Sequence, residues 1–479
     1  MKKSLLFILS SFLIISCNKD FDEINTNNNA PSNVEPAYLL RQVSYNFTEE
    51  MSYEGFVAGN LLGQYFTQVD FNLFDRHDLS SPQVGGNPWP VIYRNLRDNQ
   101  IMLDRARSEE LYRVYEGPGL IMKAYMLAAL TDIYGDVPYF DALGGLQSQI
   151  APAYNSQEAI YMDAGGVFDL LEEGINSIDQ YTGLQALEGD VFYNGNLAAW
   201  RSLAQSLRIK YLMRVSNKVD VSQELQSIYD NGDYINSNSG NAVFQFSDGQ
   251  PNNFRMANLR EGDFNLFVMS ETMQEVLERF DDPRREVFFR PISSDSTQTA
   301  FVGLLNGQDA SAISISVSNY SRAGTAFREN TGVLQANLMT AWETYFFLAE
   351  AAQVGMIAAP AQQLYEDGVQ MAFDYWNTQL PADYLSSGNA AYGQNGAYPV
   401  EQIITQKWLA NTINGYEGWI EYRRTGFPEF KTLAASLNAN LIPVKMPYPA
   451  DEVALNNQNF VNATGGDNNI NSPVWWDAE

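Results

Sequence analysis

The chain has 479 residues with one cysteine, one histidine and a formal charge of −28 at pH 7, from 57 acidic and 29 basic side chains. So acidic a chain lacks the Lys and Arg that phosphate contacts need, which argues against a nucleic-acid binder; one cysteine excludes an intramolecular disulfide framework and Cys-type zinc sites, and one histidine excludes His-rich metal centres. Hydrophobic content of 45%, with 27 Tyr, 27 Phe and 8 Trp, is that of a globular chain able to bury an ample core.

Met1-Lys2-Lys3 is a short positive start, and an apolar run follows from Leu5 to Ile15. That run is too short to cross a bilayer, which needs about 20 helical residues, and it fits the core of a secretory signal peptide over residues 1–16. Ile14-Ile15-Ser16-Cys17 resembles a bacterial lipobox, in which the Cys17 thiol receives diacylglycerol. The competing reading is an ordinary signal followed by a chance cysteine; Cys17 is the sole cysteine, and it stands where a lipobox places one. At roughly 0.8 kcal/mol per buried CH₂, two or three acyl chains make a lasting anchor. Residues 17–36 are polar and rich in Asn, Asp and Pro, a lipidated tether, and residues 37–479 form the folded domain.

GLIMKAYMLAALTDIYG at 119–135 is a candidate helix, with Ala124 and Ala128 permitting close packing, Gly135 as its C-cap and Pro138 closing the element. In residues 197–215, Trp200, Leu203, Ala204, Leu207 and Tyr211 fall on one helical face, with Arg201, Gln205 and Arg208 elsewhere. Residues 231–260 and 291–335 are Ser/Asn/Gly-rich and read as long loops with small β patches, AVFQF at 242–246 and AISISVSNY at 312–320. Trp342, Tyr345, Phe346, Ala349 and Ala352 repeat the helical pattern, and AQQLYEDGVQMAFDYW reads as a second helix joined through Gly355 to Pro360. That pair resembles a tetratricopeptide-type hairpin, although no clean 34-residue repeat runs along the chain. The expected fold is mainly α: tetratricopeptide-like helix pairs with a large irregular subdomain of loops and short strands.

No catalytic, metal or cofactor residues emerge from this pattern. A nucleophile–His site would need His77, which lies between Asp75 and Asp78 and reads as a loop histidine paired with a carboxylate. Asp281-Asp282 and residues 466–469 lack the spacing of a calcium loop and read as turns, and Glu172-Glu173 reads as a solvated face. Binding has better candidates, because sugars and peptides suit aromatic rings flanked by amides. Trp89 lies on a glycine-rich loop, held between Pro88 and Pro90 beside Asn87, and reads either as a binding ring, which fixed in this way loses little entropy on binding, or as a core-packing residue. Tyr320, with Asn319 and Arg322 as polar partners, is a second candidate, and Phe74 and Asp75 follow. Trp200, Trp342, Trp408 and Trp419 read as core, Trp475 and Trp476 as pins for the C-terminus, and Arg423-Arg424 as structural charge at a helix C-terminus.

Several motifs in order carry a family resemblance: the lipobox and the polar segment after it, TDIYGDVPYFDA at 131–142, NLAAWRSLAQSLRIKYLMR at 196–214, LAEAAQVG at 348–355 with LYEDGVQMAF at 364–373, the stretch 403–428, IPVKMPYPADEVALNNQNF at 442–460 and WWD at 475–477. This order resembles the SusD/RagB group of Bacteroidetes outer-membrane lipoproteins, in its SusD-like branch. Asp20, Asp22 and Glu23 resemble the export tag of such lipoproteins, or else belong to a generic solvated linker. One departure is Lys445, where the family pattern usually carries Arg. The resemblance implies a SusC-like TonB-dependent β-barrel transporter as partner, a lid and capture role at the extracellular side of the cell outer membrane, and an oligosaccharide or peptide ligand. It also implies a ligand-stacking aromatic near Trp89. Two other readings stay open: a carboxylate-only glycoside hydrolase lipoprotein, and a helical scaffold that docks proteins alone.

Overall fold

The computed structural model describes residues 34–80, 85–144, 150–292, 300–312 and 314–477. The leader, Cys17 and the tether up to residue 33 lie outside the described residues. No helix among the described residues is long and apolar enough to cross a membrane.

The longer helices are α1 (Pro36–Glu54), α2 (Trp89–Ser108), α3 (Glu116–Tyr134), α4 (Val167–Gln180), α5 (Leu197–Val215), α6 (Ser222–Asn231), α7 (Glu271–Phe280), α8 (Ala341–Gln353), α9 (Ala361–Tyr375), α10 (Pro399–Ala410) and α11 (Gly415–Thr425). Side-chain caps start three of them. Asn196 accepts the N–H groups of Ala198 and Ala199, Ser270 that of Met273, and Thr340 that of Glu343, satisfying donors that a helix start leaves free.

Successive helices pack on one another: α1 on α2, α2 on α3, α3 on α4 and α4 on α5, with α8 against α5, α9 and α10. The α8–α9 hairpin is the expected tetratricopeptide-like pair, and Gly368 of α9 lets the Phe346 ring of α8 approach closely. α1 runs on through a π-helical turn, Gly55–Gly59, into the short helix Asn60–Leu62. There the backbone meets the start of α11: a Cβ on Gly59 would stand 2.2 Å from the Tyr416 nitrogen. Glycine at this crossing permits backbone-to-backbone contact.

Three two-stranded antiparallel sheets occur among the described residues: β1 (Phe66–Gln68) with β5 (Phe267–Met269), β2 (Val137–Pro138) with β3 (Tyr154–Asn155), and β4 (Ala242–Gln245) with β6 (Gln335–Met339). AVFQF thus forms the expected strand. AISISVSNY does not: its described part ends in a 3₁₀ turn at Val317–Asn319, and pairing begins beyond it, where Arg322 bridges Val268 and Ala323 bridges Phe289. β1 already occupies one edge of the short strand β5, so the other edge has room for a few residues and the alternating run before them is left unpaired.

The core contains a charge network that apolar periodicity did not indicate. On α5, the predicted face Trp200, Leu203, Ala204, Leu207 and Tyr211 is buried, but so are Lys210 and Arg214. Arg214 reaches Asp132 at 2.8 Å and Glu417 at 2.6 Å, and Lys210 lies 2.8 Å from Glu343 and 2.9 Å from Glu417. Lys407 and Arg424 continue the chain through Glu421 and Glu350. Arg424 was expected to serve the helix dipole; it lies in the last turn of α11 but is held in this network, and Arg423 packs between Trp419 and Trp476. Each charge is retained inside because partners replace the water it lost. Trp476 donates Nε1–H to Asp132 and pins the C-terminal segment, as expected.

Candidate aromatic binding rim

Trp89 is not on a loop. It is the first residue of α2, with Pro88 before it and Pro90 after it. Proline suits these positions because a helix start leaves its N–H groups unpaired and its fixed φ is already helical. The glycines ahead of it serve the close approach to α1. Gly85 and Gly86 have φ of +69° and +84°, and a Cβ on Gly85 would stand 2.1 Å from Val57. Glu54, at the end of α1, accepts the Gly86 N–H at 2.6 Å and also that of Asn87. Burial pushes the Glu54 carboxyl above its ordinary range, and these two N–H donors partly offset it.

The Trp89 side chain is half-buried, and Asn87 is exposed beside it. Its ring lies 4.8 Å from that of Tyr93 and meets Tyr134 and Tyr448 edge-on at 5.0 and 6.0 Å between centroids. Tyr154 meets Tyr448 edge-on at 5.4 Å. The hydroxyls are committed to acceptors: Tyr93 to the Pro138 carbonyl at 2.6 Å, Tyr448 to the Asp136 carbonyl at 2.7 Å, and Tyr154 to the Glu452 carboxylate at 2.9 Å. Burial, and then Glu452, push the Tyr154 hydroxyl far above its ordinary range, so it stays protonated. Trp89, Tyr93 and Tyr154 thus form a rim of half-buried rings over the buried Tyr134 and Tyr448. Tyr93 could have been found in the sequence, one helical turn after Trp89. Tyr154, Tyr448 and Glu452 come from distant segments and carry no local signal.

The turn at 466–469 is a clasp for this rim. The Asn468 amide accepts the Tyr448 N–H at 2.8 Å and donates to the Tyr448 carbonyl at 2.9 Å. Lys445 sits with its Nζ 4.9 Å from the Tyr448 ring centre. A point charge over a ring suffices for that contact, which accounts for Lys at this position without the fork of an Arg.

Tyr320 lies in a different cluster. It packs on Val69, Val268 and Leu304, half-buried, with Asn319 exposed before it. Ser321 and Ala323 are fully buried, so the alternation of an extended chain places Tyr320 and Arg322 on the opposite face. Tyr320 and Trp89 thus belong to separate apolar clusters among the described residues. Phe74 is buried, and Asp75 is a structural hub that accepts from Thr67, Asn306 and Gly307 at 2.6–2.8 Å. Burial pushes the Asp75 carboxyl up to about 6, against the pull of those donors.

His77 differs from expectation. It is buried with φ +66°, and its Nδ1 faces the Leu441 carbonyl at 3.2 Å, not a carboxylate. Burial lowers it to about 4, so it is neutral at pH 7. Asp281 ends α7 in a left-handed conformation and Asp282 is buried on Arg284 at 2.6 Å, so this pair is a turn. Glu172 and Glu173 are exposed, as expected. A cavity of about 40 Å³ among Phe47, Tyr125, Lys210, Tyr416 and Glu417 has room for a few waters at ~10–15 Å³ each, not for a sugar ring.

This fold has solved counterparts. A SusD homologue from Bacteroides fragilis superposes with a TM-score of 0.76 at 26% identity, covering 93% of this chain and 100% of that one. A chitin-binding SusD homologue from Flavobacterium johnsoniae has a TM-score of 0.76 at 21% identity, covering 93% and 98%, and a SusD homologue from Parabacteroides distasonis has 0.79 at 18%, covering 92% and 98%. No curated protein matches the chain. The SusD-like family described as "starch-binding associating with outer membrane" matches residues 28–449. With a match across most of its length and the same helical architecture in solved members, the chain belongs to the SusD-like family of outer-membrane-associated nutrient-binding proteins.

Proposed function

We propose that this protein is a surface lipoprotein, anchored through Cys17 after removal of residues 1–16, that captures glycans at the Trp89 rim. It acts as the lid of a SusC-type TonB-dependent transporter, facing the extracellular side of the outer membrane. The observation that carries the reading is a half-buried Trp89 beside an exposed Asn87, in a chain of the SusD-like family. Half-buried rings with adjacent amides suit the flat apolar face and polar edge of a sugar. Asn87 supplies an amide, and Trp89, Tyr93 and Tyr154 supply the rings. Tyr320, with Asn319 and Arg322, forms a second contact region for a longer ligand. The fold of the chitin-binding Flavobacterium johnsoniae homologue supports the glycan reading by analogy.

Two measurements test this. Extraction of the native membrane in mild detergent co-purifies the protein with a large β-barrel; recovery as a lone monomer refutes the lid role. A glycan screen yields binding without turnover; release of shortened products identifies a hydrolase instead.

A further inference from the structure

We infer that the Trp89 rim takes an uncharged oligosaccharide and rejects acidic ones, an inference that rests on the glycan-capture reading above. The groups around these rings supply acceptors and negative charge. Glu452 Oε1 accepts from Tyr154 and from Asn456, each at 2.9 Å, which leaves the lone pairs of Oε2 for a further donor. The Asp136 carboxylate accepts the Gln157 N–H at 2.8 Å, and Glu54 lies beneath the loop that carries Asn87. Sugar hydroxyls can donate to such groups; a carboxylate or sulfate cannot.

Two arginines of α2 in this region are ion-paired. Arg94 is paired with Glu50, and Arg97 with Asp98 at 2.8 Å. The Lys445 side chain is buried against the Tyr448 ring. Residues 81–84 and 145–149, next to the rim in sequence, carry no charged side chain. After burial, Asp136 and Glu452 are the groups that push the Tyr448 hydroxyl up. The formal charge of −28 adds long-range repulsion toward any polyanion.

The test is a glycan array carrying neutral, uronate-bearing and sulfated oligosaccharides, probed with the detergent-solubilised lipoprotein at two salt concentrations. At about 10 mM salt, where the screening length is ~30 Å, each neutral ligand binds at least about tenfold tighter than its acidic analogue, and at about 500 mM the gap falls below roughly threefold. Glu452→Gln narrows the low-salt gap. Tighter binding of an acidic ligand at low salt overturns the charge assignment and leaves capture standing. Absence of any hit overturns the capture reading and this inference with it.

Discussion

Replacing Arg214 by methionine tests the buried network most directly. The guanidinium is fully buried and holds three carboxylates, those of Asp132 at 2.8 Å, Glu417 at 2.6 Å and Glu421 at 3.2 Å. Methionine fills much of the volume but leaves Asp132 without an ion-pair partner. Breaking a buried pair from one side costs about 3–5 kcal/mol. At roughly 2 °C per kcal/mol for a large domain, Tm falls by about 6–10 °C. The loss also depends on pH. Burial alone would push Glu417 and Glu421 up, but their cations outweigh it: Arg214 and Lys210 hold Glu417 below its ordinary range, and Arg424, Lys407 and Arg214 hold Glu421 well below it. In the wild type, these two groups contribute stability that is present above their unfolded pKa and lost as pH falls through the folded one. In Arg214→Met, burial gains weight and the carboxyls rise; a folded pKa raised above the unfolded one costs stability as pH rises from the unfolded value to the folded one, and the full cost persists at higher pH. Thermal unfolding followed by circular dichroism therefore shows a larger deficit at pH 8 than at pH 5. A deficit under about 2 °C, or one equal at both pH values, refutes the idea that the network stands on this guanidinium.

Trp89→Ala weakens glycan binding by roughly 1–3 kcal/mol in calorimetry, by analogy with base stacking on aromatic rings, and leaves affinity for the barrel unchanged; an unaltered Kd removes Trp89 from the rim's function. Cys17→Ser moves the protein from the membrane pellet to soluble fractions, as read by immunoblot, and retention in the pellet refutes the anchor. His77, held near 4 against an ordinary 6.5, cannot take up the proton that the unfolded chain binds, so it withdraws up to roughly 3 kcal/mol of stability as pH falls from about 6.5 to 4. His77→Asn, which tolerates the positive φ, shows a shallower loss in that window by urea denaturation, and an identical pH profile refutes the assignment. Gly59→Ala forces a Cβ against the Tyr416 nitrogen and costs at least about 2 kcal/mol in the same assay; a neutral effect shows that the crossing has slack.

The helices at 197–215 and 341–375 were legible because burying a helical face leaves a 3.6-residue period in the sequence, and no distant partner is needed to read it, whereas 119–135, buried on nearly every side, was legible through its small residues and its Gly135 stop. The fully buried Trp200, Trp342, Trp408 and Trp419 were legible on the same ground. Trp89 stood out through its prolines and glycines, although these mark the start of a helix and its seat on α1, not a loop. Other features were decided by tertiary structure. Lys210 and Arg214 look like solvated charges along the chain, and they are buried because Asp132, Glu343 and Glu417 come to meet them from three other helices. The rim depends on Tyr448 and Tyr154 arriving beside Trp89, and the state of His77 on a carbonyl 364 positions away. Local periodicity records which residues leave water; it holds no record of which partner replaces that water, because the partner is chosen by packing between segments far apart in the chain.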